Sequence, residues 1–273
     1  MRLGISSFAF GWAVGFDGAR PLKPMNVPDL IRWAHVLQLD TIQIADNMPL
    51  ESLSQSDLDV LRLLALNSKI QLEVGARRLT PDRMELYAGI ARALDAPFVR
   101  FVIDDRDYLP SVLEVEDVLR AGLSRMKGVT LAIENHDRFK ASQLRSLLES
   151  FAGQNIGICF DTANSLGAGE GVNEVLNQLE PWVVNVHIKD IAISRIDTKM
   201  GFTVEGRPAG SGQLDIPALL QRLNRTKRCE SATLELWTPR ENTLLESIAK
   251  EAKWVIQSCD YLKPLLKQFS NSE

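Results

Sequence analysis

Eight short apolar runs recur along the chain, at 2–6, 40–45, 70–75, 98–103, 129–134, 156–161, 183–188 and 232–236. Longer segments of helical period separate them. This alternation predicts repeated strand–helix units and a parallel sheet. Several helical segments carry recognisable starts. Asn26-Val27-Pro28-Asp29 precedes an apolar-periodic segment, Ser54-Gln55-Ser56-Asp57 opens another, and Thr80-Pro81-Asp82 places Pro at the first helical position. Further helices are expected near 114–127, 141–152, 171–180, 215–223 and 241–258. No linker or composition shift divides the chain, and its 273 residues match the roughly 250 typical of a closed eight-stranded barrel. The expectation is an α/β protein, a (β/α)8 TIM barrel forming a single domain over 1–273. The longest stretch without a helical pattern, 189–214, follows the seventh run; a loop of that length in a compact domain usually serves function.

Side chains alternate between the two faces of a strand. In the last four runs one face reads Leu131 and Ile133; Ile156, Ile158 and Phe160; Val184, Val186 and Ile188; Ala232, Leu234 and Leu236. That face is expected to pack beneath the outer helices. The other reads Thr130, Ala132 and Glu134; Gly157, Cys159 and Asp161; Val183, Asn185 and His187; Ser231, Thr233 and Glu235. It is small or polar and is expected to point into the barrel. On it, each run ends in a residue able to bind a metal.

Glu134, Asp161, His187 and Glu235 thus fall at the carboxyl ends of successive strands, which lie about 4.8 Å apart. Barrel active sites occupy that end. Three carboxylates gathered without a cation would repel one another and force one pKa upward; a divalent ion removes the conflict. Oxygen ligands with one imidazole suit Mn2+, Mg2+, Co2+ or Zn2+.

Composition excludes other classes. The net charge of −4 and the absence of any Lys/Arg-rich run leave no electrostatic footprint for nucleic acid. Three histidines are too few for a trinuclear endonuclease centre. Cys159, Cys229 and Cys259 are too scattered for a disulfide framework and read as reduced thiols. No run has the length of a transmembrane helix, and the first residues lack a signal-peptide pattern. A cytoplasmic enzyme without membrane or nucleic-acid partners is expected.

These residues also carry a resemblance. AIENH at 132–136, CFDTAN at 159–164, VHIKD at 186–190, PAGSGQLD at 208–215 and LELW at 234–237 resemble the xylose-isomerase-like (AP endonuclease type 2) TIM barrels over nearly the whole chain. That family includes sugar and ketose epimerases, inosose dehydratases and hydroxypyruvate isomerases. The resemblance implies one metal ion, Mn2+ ahead of the alternatives, on Glu134, Asp161, His187 and Glu235. It also implies that Glu134 and Glu235 act as the acid/base pair on opposite faces of a small sugar-like substrate, and it leaves room for a homo-oligomer. Two positions depart from the epimerase pattern: Asn164 stands where many sugar epimerases have His, and Gln43 where an acidic residue often ends the second strand.

The chemistry follows from an enediolate: a metal stabilises its charge and a nearby carboxylate moves the proton. The leading expectation is a metal-dependent isomerase or epimerase of a sugar or sugar acid. The alternative is a lyase (dehydratase, decarboxylase or eliminase) working through the same intermediate. His136, Asn164, Lys189, Arg207 and Trp237 are the expected substrate contacts. Glu73 and Arg100 read as an internal ion pair, Phe8, Phe10 and Trp12 as an apolar wall, and His35 as a structural or exposed helix residue.

Overall fold

The computed structural model describes residues 1–270. Its strands are β1 (Arg2–Ser6), β2 (Thr41–Ile44), β3 (Gln71–Arg77), β4 (Phe98–Val102), β5 (Thr130–Glu134), β6 (Ile156–Asp161), β7 (Val183–Ile188), β8 (Ile191–Arg195), β9 (Phe202–Gly206) and β10 (Ser231–Leu234). Eight of them close into a parallel barrel in the order β1-β10-β7-β6-β5-β4-β3-β2, while β8 and β9 form a separate antiparallel hairpin. All eight expected strands are present, with ends displaced by no more than two residues.

The helices are α1 (Gly11–Val14), α2 (Val27–Val36), α3 (Gln55–Asn67), α4 (Pro81–Ala93), α5 (Val112–Gly122), α6 (Ala141–Ser150), α7 (Val172–Leu179), α8 (Ile216–Thr226) and α9 (Leu244–Ser270). Helices begin where the three start signals fall, and their caps satisfy orphan backbone donors. Asn26 Oδ1 accepts from Asp29 N at 3.0 Å while Asp29 Oδ2 accepts from Asn26 N at 3.1 Å. Ser54 and Asp57 exchange the same reciprocal bonds at the head of α3. In α8, Leu219, Leu220 and Leu223 are buried toward the barrel. Each such side chain contributes roughly 1.5–3 kcal/mol by leaving water.

The main core lies between barrel and helices and includes Leu131, Ile133, Ile158, Phe160, Val186, Ala232 and Leu234. A small second cluster, Phe98, Ala132, Cys159 and Val184, fills the barrel interior. Here the simple alternation fails. The β6–β7 register jumps from Ile158↔Val183 to Cys159↔Asn185, so β7 carries one extra residue. Val183 consequently joins the outer core and Val184 turns inward, the reverse of the expected pair. Gly157 makes the space: a Cβ there would meet Val184 at 2.8 Å. Beyond the bulge Asn185 and His187 face inward as expected.

The stretch 189–214 is not irregular. β8 and β9 stand at the barrel mouth, and the PAGSGQLD segment returns beneath them. Asp190 binds that return: its carboxylate accepts from the backbone N–H of Ile191, Gly210, Gly212 and Leu214 at 2.9–3.1 Å. Gly210 has φ +82°, and Gly212 lets the chain pass against Asp190 without a Cβ. The glycines therefore shape a tight loop.

Candidate active site

Glu134 ends β5, Asp161 ends β6, His187 is the penultimate residue of β7, and Glu235 directly follows β10. Register pairing sets Asp161 opposite His187 and His187 opposite Thr233. Glu235 N donates to Ile188 O at 3.1 Å, extending the ladder one residue past β10. The four buried side chains meet at the carboxyl end of the barrel, where Glu134 and Glu235 line a cavity of about 730 Å³ and Asp161 and His187 lie outside its lining.

His187 is fully buried and centres the group. Its Nδ1 lies 3.4 Å from Glu235 Oε1, 3.6 Å from Asp161 Oδ2 and 3.9 Å from Glu134 Oε1. Its Nε2 sits 2.7 Å from Gln43 Oε1. Gln43 in turn donates through Nε2 to Glu73 Oε2 and to Asn185 Oδ1, both at 3.2 Å. With the amide nitrogen engaged there, the Gln43 oxygen accepts a hydrogen bond from Nε2–H. The neutral imidazole then presents a bare lone pair on Nδ1 to the carboxylates. That arrangement is repulsive unless a cation lies between them, either a proton on Nδ1 or a metal ion.

Neither His187 Nδ1 nor Glu235 Oε1 has a hydrogen-bond partner among the described residues, although both are buried. Ligand atoms of Asp161, His187 and Glu235 all lie within 4.8 Å of one another. Donors about 2.1 Å from a shared ion stand roughly 3.0–3.4 Å apart for octahedral or tetrahedral angles, so small side-chain adjustments bring this set around one cation. These residues fit a divalent ion. Glu134 is drawn to one side: Arg100 Nε stands 3.1 Å from its Oε2, and Asn164 Nδ2 donates to its Oε1 at 2.7 Å.

The charges are more evenly balanced than the carboxylates alone suggested. Lys189 Nζ lies 2.8 Å from Asp161 Oδ2 and 3.0 Å from Glu235 Oε2. Burial alone would raise the Asp161 carboxyl, but Lys189 and then His187 reverse this and hold it well below the usual range. Glu235 shows the same contest and also falls, with His187 and Lys189 overcoming burial. Burial lowers the His187 pKa; Glu235, Asp161 and Glu134 outweigh it, so the imidazole ends above its ordinary value. Burial pushes the Cys159 thiol well up, which makes it a poor ligand despite its 3.1 Å approach to His187 Nε2.

Asn135 ties two strand ends together, accepting from Asp161 N and donating to Asp161 O, both at 2.8 Å. Asp161 Oδ1 accepts from the backbone of Ala163 and Asn164 at 2.8 Å. These bonds fix the carboxylate in place.

The expected substrate residues are distributed unevenly. His136, Asn164, Lys189 and Trp237 line the cavity. His136 leans on Asp137 at 2.6 Å, and Lys189 lies over the Trp237 ring at 5.1 Å. Arg207 is turned away: its guanidinium bonds Glu205 at 2.9 Å and Gly206 O at 2.8 Å, and it is not part of the cavity lining. Glu73 and Arg100 do not pair. Arg100 rises toward Asp46 and Glu134, whereas Glu73 stays one layer below with Gln43 and Thr233. Phe8 and Trp12 do wall the cavity, joined by Phe16, while Phe10 packs on Trp33 at 5.1 Å. His35 is exposed.

Sequence reasoning missed Asp46, Arg77 and Glu251, all in the lining. Arg77 was accessible to it: β3 reads Glu73, Gly75, Arg77 on its inward face. Glu251 lies on α9 and has no such signal.

The xylose isomerase-like TIM barrel family model matches residues 53–265. The 3-oxo-isoapionate decarboxylase of Pectobacterium atrosepticum is 31% identical over 264 residues, covering 96% of this chain and 95% of that protein. Among solved structures, D-psicose 3-epimerase with D-tagatose from Clostridium cellulolyticum H10 superposes with TM-score 0.69 at 14% identity, covering 97% of this chain and 99% of its own. A xylose isomerase-like TIM barrel protein from Mycobacterium smegmatis in complex with magnesium gives TM-score 0.68 at 12% identity, covering 94% and 96%. At these identities the two structures speak for the fold.

Proposed function

Since the chain belongs to the xylose isomerase-like TIM-barrel family, we propose that it is a divalent-metal-dependent lyase that decarboxylates a 3-oxo sugar acid. The observation that carries this reading is the state of Glu134. An epimerase or isomerase needs one carboxylate to take a proton from carbon and a second to return it. Both Glu134 oxygens are engaged by side chains, Oε2 in an ion pair with Arg100 and Oε1 by a hydrogen bond from Asn164, so neither is free to approach a proton on a substrate carbon. Loss of CO2 from a 3-oxo acid requires no base at carbon. The C1–C2 bond breaks, its electron pair moves toward the 3-oxo oxygen, and one proton must then be delivered to C2. The decarboxylase relative, similar along almost its whole length, supports the same choice.

Asp161, His187 and Glu235, with Glu134 beside them, would hold a divalent ion, which would supply Lewis-acid stabilisation of the developing negative charge. The chain's own residues do the rest. Lys189 and Glu235, 3.0 Å apart, form the pair that delivers the proton to C2 and is refilled from water. Arg100 and Asn164 hold Glu134 still. Phe8, Trp12 and Trp237 supply apolar walls that exclude water from the reacting carbons. Mn2+ is the first ion to test, ahead of Mg2+, Co2+ and Zn2+. We place this enzyme in the cytoplasm, acting on a small molecule without nucleic-acid or membrane partners; no helix among the described residues is long and apolar enough to cross a membrane.

A second reading, a metal-dependent isomerase or epimerase, keeps Glu134 and Glu235 as the acid/base pair. It is favoured by their shared approach to His187 Nδ1, at 3.9 and 3.4 Å, and by their place in the cavity lining. The two separate in one experiment. Mn2+-loaded enzyme is given 3-oxo-isoapionate and, in parallel, a panel of ketoses in D2O, with products followed by NMR. Release of CO2 with one deuterium at the former C2 supports the lyase. Deuterium in a product of unchanged carbon number, without CO2, overturns it in favour of the second reading.

A further inference from the structure

The cavity lining includes three cations from the barrel strands and their ends, and two are fully committed. Lys189 Nζ serves Asp161, Glu235 and the Asn164 side-chain oxygen. Arg100 is buried and bridges Asp46 at 3.0 Å to Glu134 at 3.1 Å. Arg77 differs. Its side chain keeps 33% of its surface accessible, and its one ion pair is a long one, Nε to Asp46 Oδ2 at 3.4 Å. None of its guanidinium nitrogens makes a hydrogen bond among the described residues.

Its position follows from the barrel layers. Glu73, Gly75 and Arg77 share the inward face of β3, and Gly75 pairs in register with Arg100. A Cβ on Gly75 would stand 3.2 Å from the Arg100 guanidinium and 3.1 Å from Ala45 Cα. The glycine thus lets Arg100 lie flat in the layer below, with Arg77 above it at the mouth. Asp46 is shared between two guanidinium groups, and Glu134 occupies only the far edge of Arg100. Asp46 and Glu134 also line the cavity, but both are already paired, which leaves the Arg77 guanidinium as the member of this cluster with unused donors. The metal-competent residues come from β5, β6, β7 and the turn after β10, so the floor is divided. Chelating groups occupy one side and an unsatisfied guanidinium the adjoining β3 side.

We propose that Arg77 takes the substrate's carboxylate in a two-point guanidinium–carboxylate pair on the β3 side of the cavity. This rests on the decarboxylase reading, since it supplies the acid that is lost. A carboxylate held there points the rest of the molecule toward β5–β7, so that electrons released by C1–C2 cleavage flow away from Arg77 toward the 3-oxo oxygen. The departing CO2 is neutral and no longer held. Arg77 accordingly acts on substrate binding more than on the bond-breaking step.

The test uses the full chain loaded with Mn2+ and two inert probes, L-threonate and its neutral amide L-threonamide, titrated calorimetrically. Wild type is expected to bind threonate at least about tenfold more tightly, the scale of a charge-assisted two-point bond. Arg77→Gln should bind both alike and raise KM for 3-oxo-isoapionate by about tenfold or more, with kcat within a few-fold. Arg77→Lys keeps a charge beside Asp46 and guards against a folding defect. It should lose much of the preference, because a lysine offers no planar fork. Wild type without a preference for threonate, or both variants retaining the wild-type preference, overturns the inference. A preference lost in Arg77→Gln alongside no CO2 from 3-oxo-isoapionate leaves the anion site standing and removes the decarboxylase reading. CO2 release with KM and preference unchanged in both variants does the reverse.

Discussion

Replacing Glu251 with glutamine should make this barrel about 2 kcal/mol more stable at pH 8 and about 1 kcal/mol less stable near pH 4.5. Glu251 lies on α9 and is 2% exposed. Its two oxygens accept from the backbone N–H of Trp12 and Ala13, at 2.9 and 3.0 Å, clasping α1 against the barrel. No cation among the described residues pairs with it. Burial therefore outweighs the two N–H donors and pushes the carboxyl from its ordinary 4.5 up to about 7. An acid whose pKa is raised on folding stabilises the fold fully below its unfolded value and loses that contribution as pH rises through its folded value. The difference of about 2.5 units corresponds to roughly 3 kcal/mol, lost between pH 4.5 and about 7.5. Glutamine cannot ionise, so it escapes the loss, but it offers one acceptor where the carboxylate offers two. That costs about 1 kcal/mol at every pH. Urea-unfolding curves of both proteins at pH steps from 4.5 to 8 measure the difference directly, and other titrating groups cancel in it. A difference that stays flat with pH, or one that favours wild type increasingly as pH rises, would refute the reasoning.

Removing the Gln43 amide should release the His187 ring: Gln43→Leu is expected to weaken Mn2+ binding about 10–100-fold by calorimetry, with Cys159→Ser as a neighbouring control. Glu235→Gln should lower kcat about 10²–10⁴-fold if the residue moves the proton, while Mn2+ still binds, more weakly; unchanged turnover in the NMR assay counts against its role. Gly206→Ala drives a Cβ into the Trp237 carbonyl, so the hairpin must shift; a loss of about 2 kcal/mol, or roughly 4–8 °C in thermal midpoint, is expected. Chelator treatment should abolish activity and lower the midpoint by only a few degrees, both restored by Mn2+.

The barrel was readable because its evidence is periodic. Apolar runs spaced by helical segments need no knowledge of distant contacts, and caps such as Ser54–Asp57 act within four residues. Glu134, Asp161, His187 and Glu235 emerged from the same counting, since inward parity at a strand end already specifies a location. Counting failed where one residue broke the period. The bulge in β7 exchanged Val183 and Val184, and nothing in VVNVHI marks an insertion. It failed also where partners are chosen by height in the barrel. Glu73 and Arg100 share a face on neighbouring strands, yet stagger places Arg100 beside Gly75 and beneath Asp46. Lys189 could be placed near the site, but its double pairing depends on the gap between Asp161 and Glu235. Glu251 meets Trp12 across 239 positions, which no local pattern reports. Arg207 was expected as a two-point substrate clamp from its guanidinium alone, and the sequence does not show that this group folds back onto Glu205 and Gly206 O.

Arg100 and Lys189 also bear on the order in which such an enzyme is made. A carboxylate cluster with no cations of its own could not close until an ion arrived, and synthesis would then wait on metal supply. Here two permanent positive charges already sit among Glu134, Asp161 and Glu235. These charges let the chain close without an ion, and the divalent ion proposed above would then enter a formed socket, its identity set by what is available after folding as much as by the ligands themselves.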